Sequence, residues 1–241
     1  MKILQLNLNH CIAAQDILQQ TMLDTNCDVA LLSEPYRNKL VSTWVSDESG
    51  KAAVWLSNSR AFESVMTVHK PYFTWAKISG IYMFSCYAPP SLNIIDFERL
   101  VSDIATEARN KSPILISGDF NAWSTVWGSR FTNAKGRALL ECFAHLDIEL
   151  LNDGRHTFEA GPKQSAIDLT FVSSSLARHA SWDVTDVHTH SDHRAIFLEL
   201  KIEKQHVALV QNRGWKCRVF DSEAFGVVWM STDQPQINLI I

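Results

Sequence analysis

Apolar side chains recur along this chain at two spacings, about two residues in some segments and about 3.6 in others, the periods of strands and helices. Residues 2–8 alternate apolar and polar positions as a first strand. Residues 13–24 read as an amphipathic helix with Ile17, Leu18, Met22 and Leu23 on one side. A buried strand over 28–33 ends at Glu34. Strands are then expected at 52–56, 62–69, 74–79 and 81–87, separated by Gly, Asn, Ser and Pro, and their short spacing makes them antiparallel neighbours. Residues 92–110 are the clearest helix, with Ser91 as N-cap and Ile95, Leu100, Ile104 and Ala108 at helical spacing. Pro113 opens a strand over 114–117 and a helix covers 134–145. Strands follow at 149–152, 167–173, 181–187 and 195–202.

Strands joined both by hairpins and by helices build two stacked sheets. The expected fold is therefore α/β, a four-layer sandwich of two mainly antiparallel sheets flanked by helices. Regularity fades near Glu203, so residues 1–203 are expected as one domain and 204–241 as a tail. That tail carries isolated Trp215, Phe220, Phe225 and Trp229. A length of 241 residues suits one large core with such an appendage.

Composition narrows the function classes. Apolar residues at 46% and charged residues at 20% exclude a disordered or fibrous chain. The five cysteines are odd in number and far apart, with no C-x-x-C pair, which argues against a disulfide framework or zinc knuckle and for a reducing, intracellular setting. No apolar run is long enough to span a membrane, and no targeting signal is legible. A net charge of −4 excludes holding nucleic acid by bulk electrostatics. A polyanion would have to be met locally, and an acidic site holding a divalent cation reverses the sign of the field where a phosphate sits.

The candidate chemistry lies where apolar strands end. Asn7 and Asn9 close the first strand, Glu34 the second, and Tyr87 ends Tyr-Met-Phe-Ser-Cys-Tyr. Asp119 and Asn121 follow Ile-Leu-Ile-Ser-Gly, Asp168 lies in Ala-Ile-Asp-Leu-Thr-Phe, and Asp192 with His193 precedes Ala-Ile-Phe-Leu. A charge beside a core strand is costly unless it is paired or ligates a metal. Glu34, Asp119, Asp168 and Asp192 offer hard oxygens that suit Mg²⁺ or Mn²⁺. Taken singly, each residue has a plainer use as a turn former, a solvated carboxylate or a core aromatic; their joint occurrence in order is what points to a site.

At Gly118-Asp119-Phe120-Asn121 and Ser191-Asp192-His193 the chain resembles the endonuclease/exonuclease/phosphatase superfamily. Asn7-Leu8-Asn9, Ser33-Glu34-Pro35-Tyr36, Tyr87-Ala88-Pro89-Pro90, Trp127-Gly128-Ser129 and Ile167 to Phe171 are most similar to the N-terminal endonuclease domain of non-LTR retrotransposon polyproteins. The resemblance spans about residues 1–202. It implies Mg²⁺-dependent hydrolysis of double-stranded DNA, with Mn²⁺ as a substitute, leaving a 3′-hydroxyl nick in target-primed retrotransposition in the nucleus. Natural fusion to a reverse-transcriptase domain is implied too; Gly214 to Phe225 resembles the start of that connection, and no Tyr-x-Asp-Asp signature is present.

The roles it implies are specific. Glu34 ligates the metal, helped by Asp192, and Asn7 binds its water shell or the phosphate. Asp119 activates the attacking water, Asn121 and Tyr87 donate to the phosphate, and His193 contacts the scissile phosphate while Asp168 holds it. Asn9, Arg37, Trp123, Arg130, Thr157 and Ser191 are the expected DNA contacts, with Lys39 beside Arg37 facing backbone phosphates. One departure is Pro90, where the family often has Asn, so a donor is lost. Three rivals stand beside this reading: zinc chemistry on His188-x-His190-x-Asp192-His193, a phosphatase of the same fold acting on a lipid or inositol phosphate, and an inactive nucleic-acid-binding remnant of a mobile element.

Overall fold

A computed structural model describes residues 1–57, 62–67 and 69–201. The expected tail, with Trp215, Phe220, Phe225 and Trp229, lies outside the described residues. Strands β1 (Lys2–Asn7), β2 (Val29–Ser33), β3 (Trp44–Ser46) and β4 (Ala52–Leu56) join β13 (Ala180–Val184) and β14 (Ile196–Leu200) in one six-stranded sheet, ordered β13-β14-β1-β2-β4-β3. The second sheet is ordered β5-β6-β7-β8-β12-β9. It contains β5 (Ser64–Val65), β6 (Phe73–Ile78), β7 (Ile81–Tyr87), β8 (Ile114–Asp119), β9 (Ile148–Leu150) and β12 (Asp168–Ser173). Each sheet has a single parallel pair at its centre, β1 with β2 and β7 with β8; every other pairing is antiparallel.

Three apolar layers hold the elements together. Helix α1 (Ile12–Asp24) covers the outer face of the first sheet, where Leu18 and Met22 meet Leu4, Leu6 and Leu32. Helices α2 (Ile94–Ala108) and α3 (Ala134–Phe143) cover the outer face of the second, with Phe97, Ile104 and Phe143 among Phe84, Ile116 and Phe171. Between the sheets lie Ile3, Val29, Leu31, Met83, Leu115 and Val172. These are the four layers expected from the strand and helix pattern.

Because side chains alternate across a strand, positions two apart share a face. The inner face of β1 reads Ile3, Gln5, Asn7; that of β2 reads Val29, Leu31, Ser33; that of β8 reads Leu115, Ser117, Asp119; and β12, running the other way, reads Val172, Thr170, Asp168. The seam between the sheets is thus apolar at one end and polar at the other. Buried hydroxyls and amides join the sheets there: Ser33 Oγ donates to Cys86 O at 2.9 Å, Ser85 Oγ to Leu32 O at 2.9 Å, and Thr170 Oγ1 to Gln5 Oε1 at 2.6 Å. Gly118 is required at this level, because a Cβ there would lie 1.9 Å from Cys86 O in the adjoining parallel strand.

Several expectations need correction. Leu23 is 57% exposed and Ile95 67%, so the buried stripes run instead through Ala14, Leu18, Thr21 and Met22 on α1 and through Phe97, Leu100, Val101 and Ile104 on α2. Helix α2 is capped by Asn93, not Ser91: its side chain accepts from Asp96 N, and Leu92 and Phe97, flanking the cap, pack in one cluster as a hydrophobic staple. The strand expected at 62–69 is only Ser64–Val65 among the described residues. Strand β3 and the hairpin of β10 (Phe158–Ala160) and β11 (Lys163–Ser165) were not expected. The hairpin's half-exposed positions carry little alternation, and β3 is only three residues long.

Candidate active site

The polar end of the seam opens into a mouth where both sheets contribute. Asn7 ends β1, Glu34 follows β2 with a φ of 47°, Tyr87 ends β7 beside Asp119, and Asp119 pairs in register with Asp168. Asn7 Nδ2 donates to Asp119 Oδ2 at 2.9 Å and lies 3.3 Å from Glu34 Oε2, so one amide of the first sheet bridges two carboxylates. Asn121, held at a φ of 46°, donates its backbone N–H to Asp119 Oδ1 at 2.9 Å and its side-chain amide to Asp119 Oδ2 at 3.1 Å. Left-handed backbone at Glu34 and Asn121 is strain that surrounding structure must hold, and such positions cluster at functional sites.

His193 completes the mouth. Its Nδ1 lies 2.8 Å from Asp168 Oδ2, while Nε2 faces the space between Asp119 Oδ2 at 3.9 Å and Asp192 Oδ1 at 4.0 Å. Thr157 Oγ1 donates to Asp168 Oδ2 at 2.7 Å and accepts from Asp168 N at 3.0 Å. Phe158 packs its ring 4.9 Å from the imidazole. A continuous polar line therefore runs Glu34, Asn7, Asp119, His193, Asp168, Thr157. A cavity of about 310 Å³ opens over Asp192 and His193, lined also by Glu159, Asp186 and Arg194.

Burial sets the electrostatics. Burial and the neighbouring Asp168 carboxylate push Asp119 up from 3.8 to about 8, against the pull of His193, Asn121 and Asn7. Burial alone would lower His193, but Asp168, then Asp119 and Asp192, outweigh it and raise the imidazole from 6.5 to about 9. Burial first, then the Glu34 and Asp119 carboxylates, keep the Tyr87 phenol protonated well above its ordinary range.

The structure brings Asn7, Glu34, Tyr87, Asp119, Asn121, Asp168, Asp192 and His193 together. Two expected DNA contacts are placed otherwise. Thr157 is fully buried and holds Asp168, so it presents no face to a ligand. Ser191 donates to Asn7 O at 2.7 Å and accepts from His193 N at 3.1 Å, which pins the histidine loop to β1. Asn9, Arg37 and Arg130 are exposed, and Trp123 is 39% exposed with its ring edge-on to Phe131. Lys39 folds back over the Trp55 ring at 4.1 Å. Where Pro90 replaces the expected Asn, Lys135 Nζ donates to Pro90 O at 3.0 Å. His188 and His190 pair with each other at 3.2 Å while His193 turns to Asp168, so the three imidazoles do not converge as a zinc motif would require.

His10 and Lys51 were not anticipated. His10 Nε2 lies 3.3 Å from both Glu34 Oε1 and Lys51 Nζ. Consecutive positive φ angles at Asn9 (46°) and His10 (51°) aim the ring, and the pairing of β2 with β4 brings residue 51 beside residue 34. Neither feature leaves a periodic trace in the sequence.

Asp119, Asp168 and His193 offer ligand atoms all within 4.8 Å, an acidic cluster able to hold a divalent metal. Asp168 Oδ2 already serves Thr157 and His193, and both Asp119 oxygens accept from Asn7 or Asn121, while Glu34 and Asp192 bring further carboxylate oxygens to the mouth. Asp192 Oδ1 is buried without a hydrogen-bond partner among the described residues, as a ligand oxygen awaiting a cation would be. A hard, oxygen-rich donor set of this kind fits Mg²⁺ or Mn²⁺ better than zinc.

Two stacked six-stranded sheets with this mouth define the endonuclease/exonuclease/phosphatase fold. Residues 81–197 match the sequence model of the family described as "Endonuclease-reverse transcriptase", and the fold is similar to that of a retrotransposon endonuclease domain. Similar solved structures include the endonuclease domain of TRAS1, a telomere-specific non-LTR retrotransposon, at 22% identity and a TM-score of 0.67, covering 84% of this chain and 99% of that one. The 3′-5′ exonuclease NExo from Neisseria meningitidis matches at 16% identity and a TM-score of 0.65, over 83% of this chain and 99% of its own. An AP endonuclease from Archaeoglobus fulgidus matches at 16% identity and 0.65, over 84% and 100%. No curated protein matches the sequence. No helix among the described residues is long and apolar enough to cross a membrane.

Proposed function

We propose that this domain is a Mg²⁺-dependent endonuclease that nicks double-stranded DNA and leaves a 3′-hydroxyl, the end that target-primed retrotransposition extends, with Mn²⁺ able to replace Mg²⁺. The observation that carries the proposal is the polar line from Glu34 through Asn7, Asp119 and His193 to Asp168 and Thr157, which joins both sheets at one mouth. The likeness to a retrotransposon endonuclease domain and the family description support the DNA substrate and a natural fusion to a reverse transcriptase; such a fusion would act in the nucleus.

Glu34 and Asp192 would hold the metal, with Asn7 at its water shell. A bound divalent cation supplies charge neutralisation at the phosphate. Asp119, whose proton affinity lies near neutrality, takes the proton of the attacking water. His193, oriented by Asp168, holds the scissile phosphate through Nε2. Tyr87 remains a donor at every working pH and, with Asn121, stabilises charge gathering on the phosphate oxygens. Arg37, Trp123 and Arg130, all exposed, would meet the duplex.

The test is nicking of supercoiled plasmid. Wild type converts it to open circles with Mg²⁺ and not with EDTA, and Asp119→Ala and His193→Ala each lose roughly 10³-fold or more. A DNA polymerase extends the nick without prior phosphatase treatment. Equal nicking by wild type and both variants would remove the assignment.

A further inference from the structure

On the Glu34 side of the mouth the structure holds a cluster with more donors than acceptors. His10 Nδ1 faces Pro35 O at 3.1 Å, which places the ring proton on Nδ1. The remaining nitrogen, Nε2, meets Lys51 Nζ and Glu34 Oε1 at 3.3 Å each. Lys51 Nζ also stands 5.6 Å from the centre of the Tyr87 ring, on the second sheet, so it overhangs the mouth. Its ammonium has three donors, and His10 is the one side-chain hydrogen-bond partner recorded for it among the described residues. Its backbone is fixed independently: Lys51 N donates to Asp47 Oδ1 at 2.7 Å, and Lys51 O accepts from Glu34 N at 2.8 Å. The rim is thus a rigid edge carrying a cation with spare donors, in a chain whose net charge is −4 and which must meet a polyanion locally.

We propose that Lys51 and His10 form a second phosphate position, which grips the backbone phosphate adjoining the scissile one on the cut strand while His193 holds the scissile phosphate on the other side of the mouth. The inference rests on the DNA-endonuclease reading. It makes Lys51 a substrate-binding residue that sets strand register, with His10 as its hydrogen-bonded partner.

The experiment measures binding and single-turnover nicking of a duplex oligonucleotide in which one phosphate at a time, flanking the cut, is a neutral methylphosphonate. Wild type is compared with Lys51→Ala, His10→Ala and Lys51→Arg. Lys51→Ala is expected to weaken binding about tenfold at low salt and to reduce the slope of log K against log salt by about 0.9, the signature of one lost phosphate contact. One methylphosphonate position next to the cut should weaken wild type by a similar factor and have no further effect on Lys51→Ala. Lys51→Arg should restore the slope, and His10→Ala should give an intermediate loss. An unchanged salt slope in Lys51→Ala, or losses that multiply at every methylphosphonate position, would overturn the inference. Failure of wild type to bind or nick any duplex would instead remove the endonuclease reading beneath it.

Discussion

The two ends of the inter-sheet seam are built by the same strands and do opposite work. At the closed end Ile3, Val29, Leu31, Leu115 and Val172 pack as a dry layer. Two residues along each strand the layer becomes Gln5, Ser33, Ser117 and Thr170, and two further on β1, β8 and β12 it becomes Asn7, Asp119 and Asp168. Dispersion and burial hold the first end; directed hydrogen bonds hold the second. The comparison shows how a sandwich places charges inside a protein: the apolar end secures the sheets, and small polar side chains make a graded transition so that the carboxylates are met by partners.

The first way to break this comparison is Gly118→Ala. A methyl group 1.9 Å from Cys86 O would force the central parallel pair apart, so the variant should lose more than the roughly 3 kcal/mol that overpacking usually costs and fail to fold cooperatively in a denaturant melt. Leu115→Ala tests the closed end alone. It should cost about 3 kcal/mol in urea while the folded fraction keeps its nicking rate. Thr170→Val tests the transition: Gln5 Oε1 and Trp182 Nε1, now at 2.6 and 2.9 Å from the hydroxyl, would lose that partner, at a cost of about 2 kcal/mol by the same melts.

The smallest effect is on pH. In the unfolded chain Asp119 ionises near 3.8 and His193 near 6.5, whereas the fold holds their protons to about 8 and about 9. The folded state therefore binds more protons, and the stability this gives is present in full at low pH and is lost as pH rises, most steeply between about 6.5 and 8. The melting temperature of metal-free protein should fall by a few degrees over that window, less in Asp119→Asn, and Mg²⁺ should restore it at the alkaline end. A melting temperature that rises with pH would contradict the charge assignment.

Much of this contrast could be read from the chain, because burial at strand ends leaves a pattern: 52–56 and 81–87 are β4 and β7 to the residue. Asp119, Asp168 and His193 stood out as polar groups beside apolar runs, and the fold brings them together. What escaped was whatever depends on pairing across the fold. Thr157 reads as a DNA contact until the fold buries it against Asp168, and His10 matters only because two left-handed residues turn its ring toward Glu34. The helix stripes were misread at Leu23 and Ile95, since periodicity gives a face's spacing but not its centre.

The central claim is that groups from both sheets act as one catalytic unit, and single-turnover nicking by Glu34→Gln, His193→Ala and the double variant tests it most directly. Each single change should slow nicking by about 10³-fold, and the double variant should be little slower than the worse single, because groups acting together are not additive. Losses that multiply, or wild-type nicking by either single variant, would contradict it.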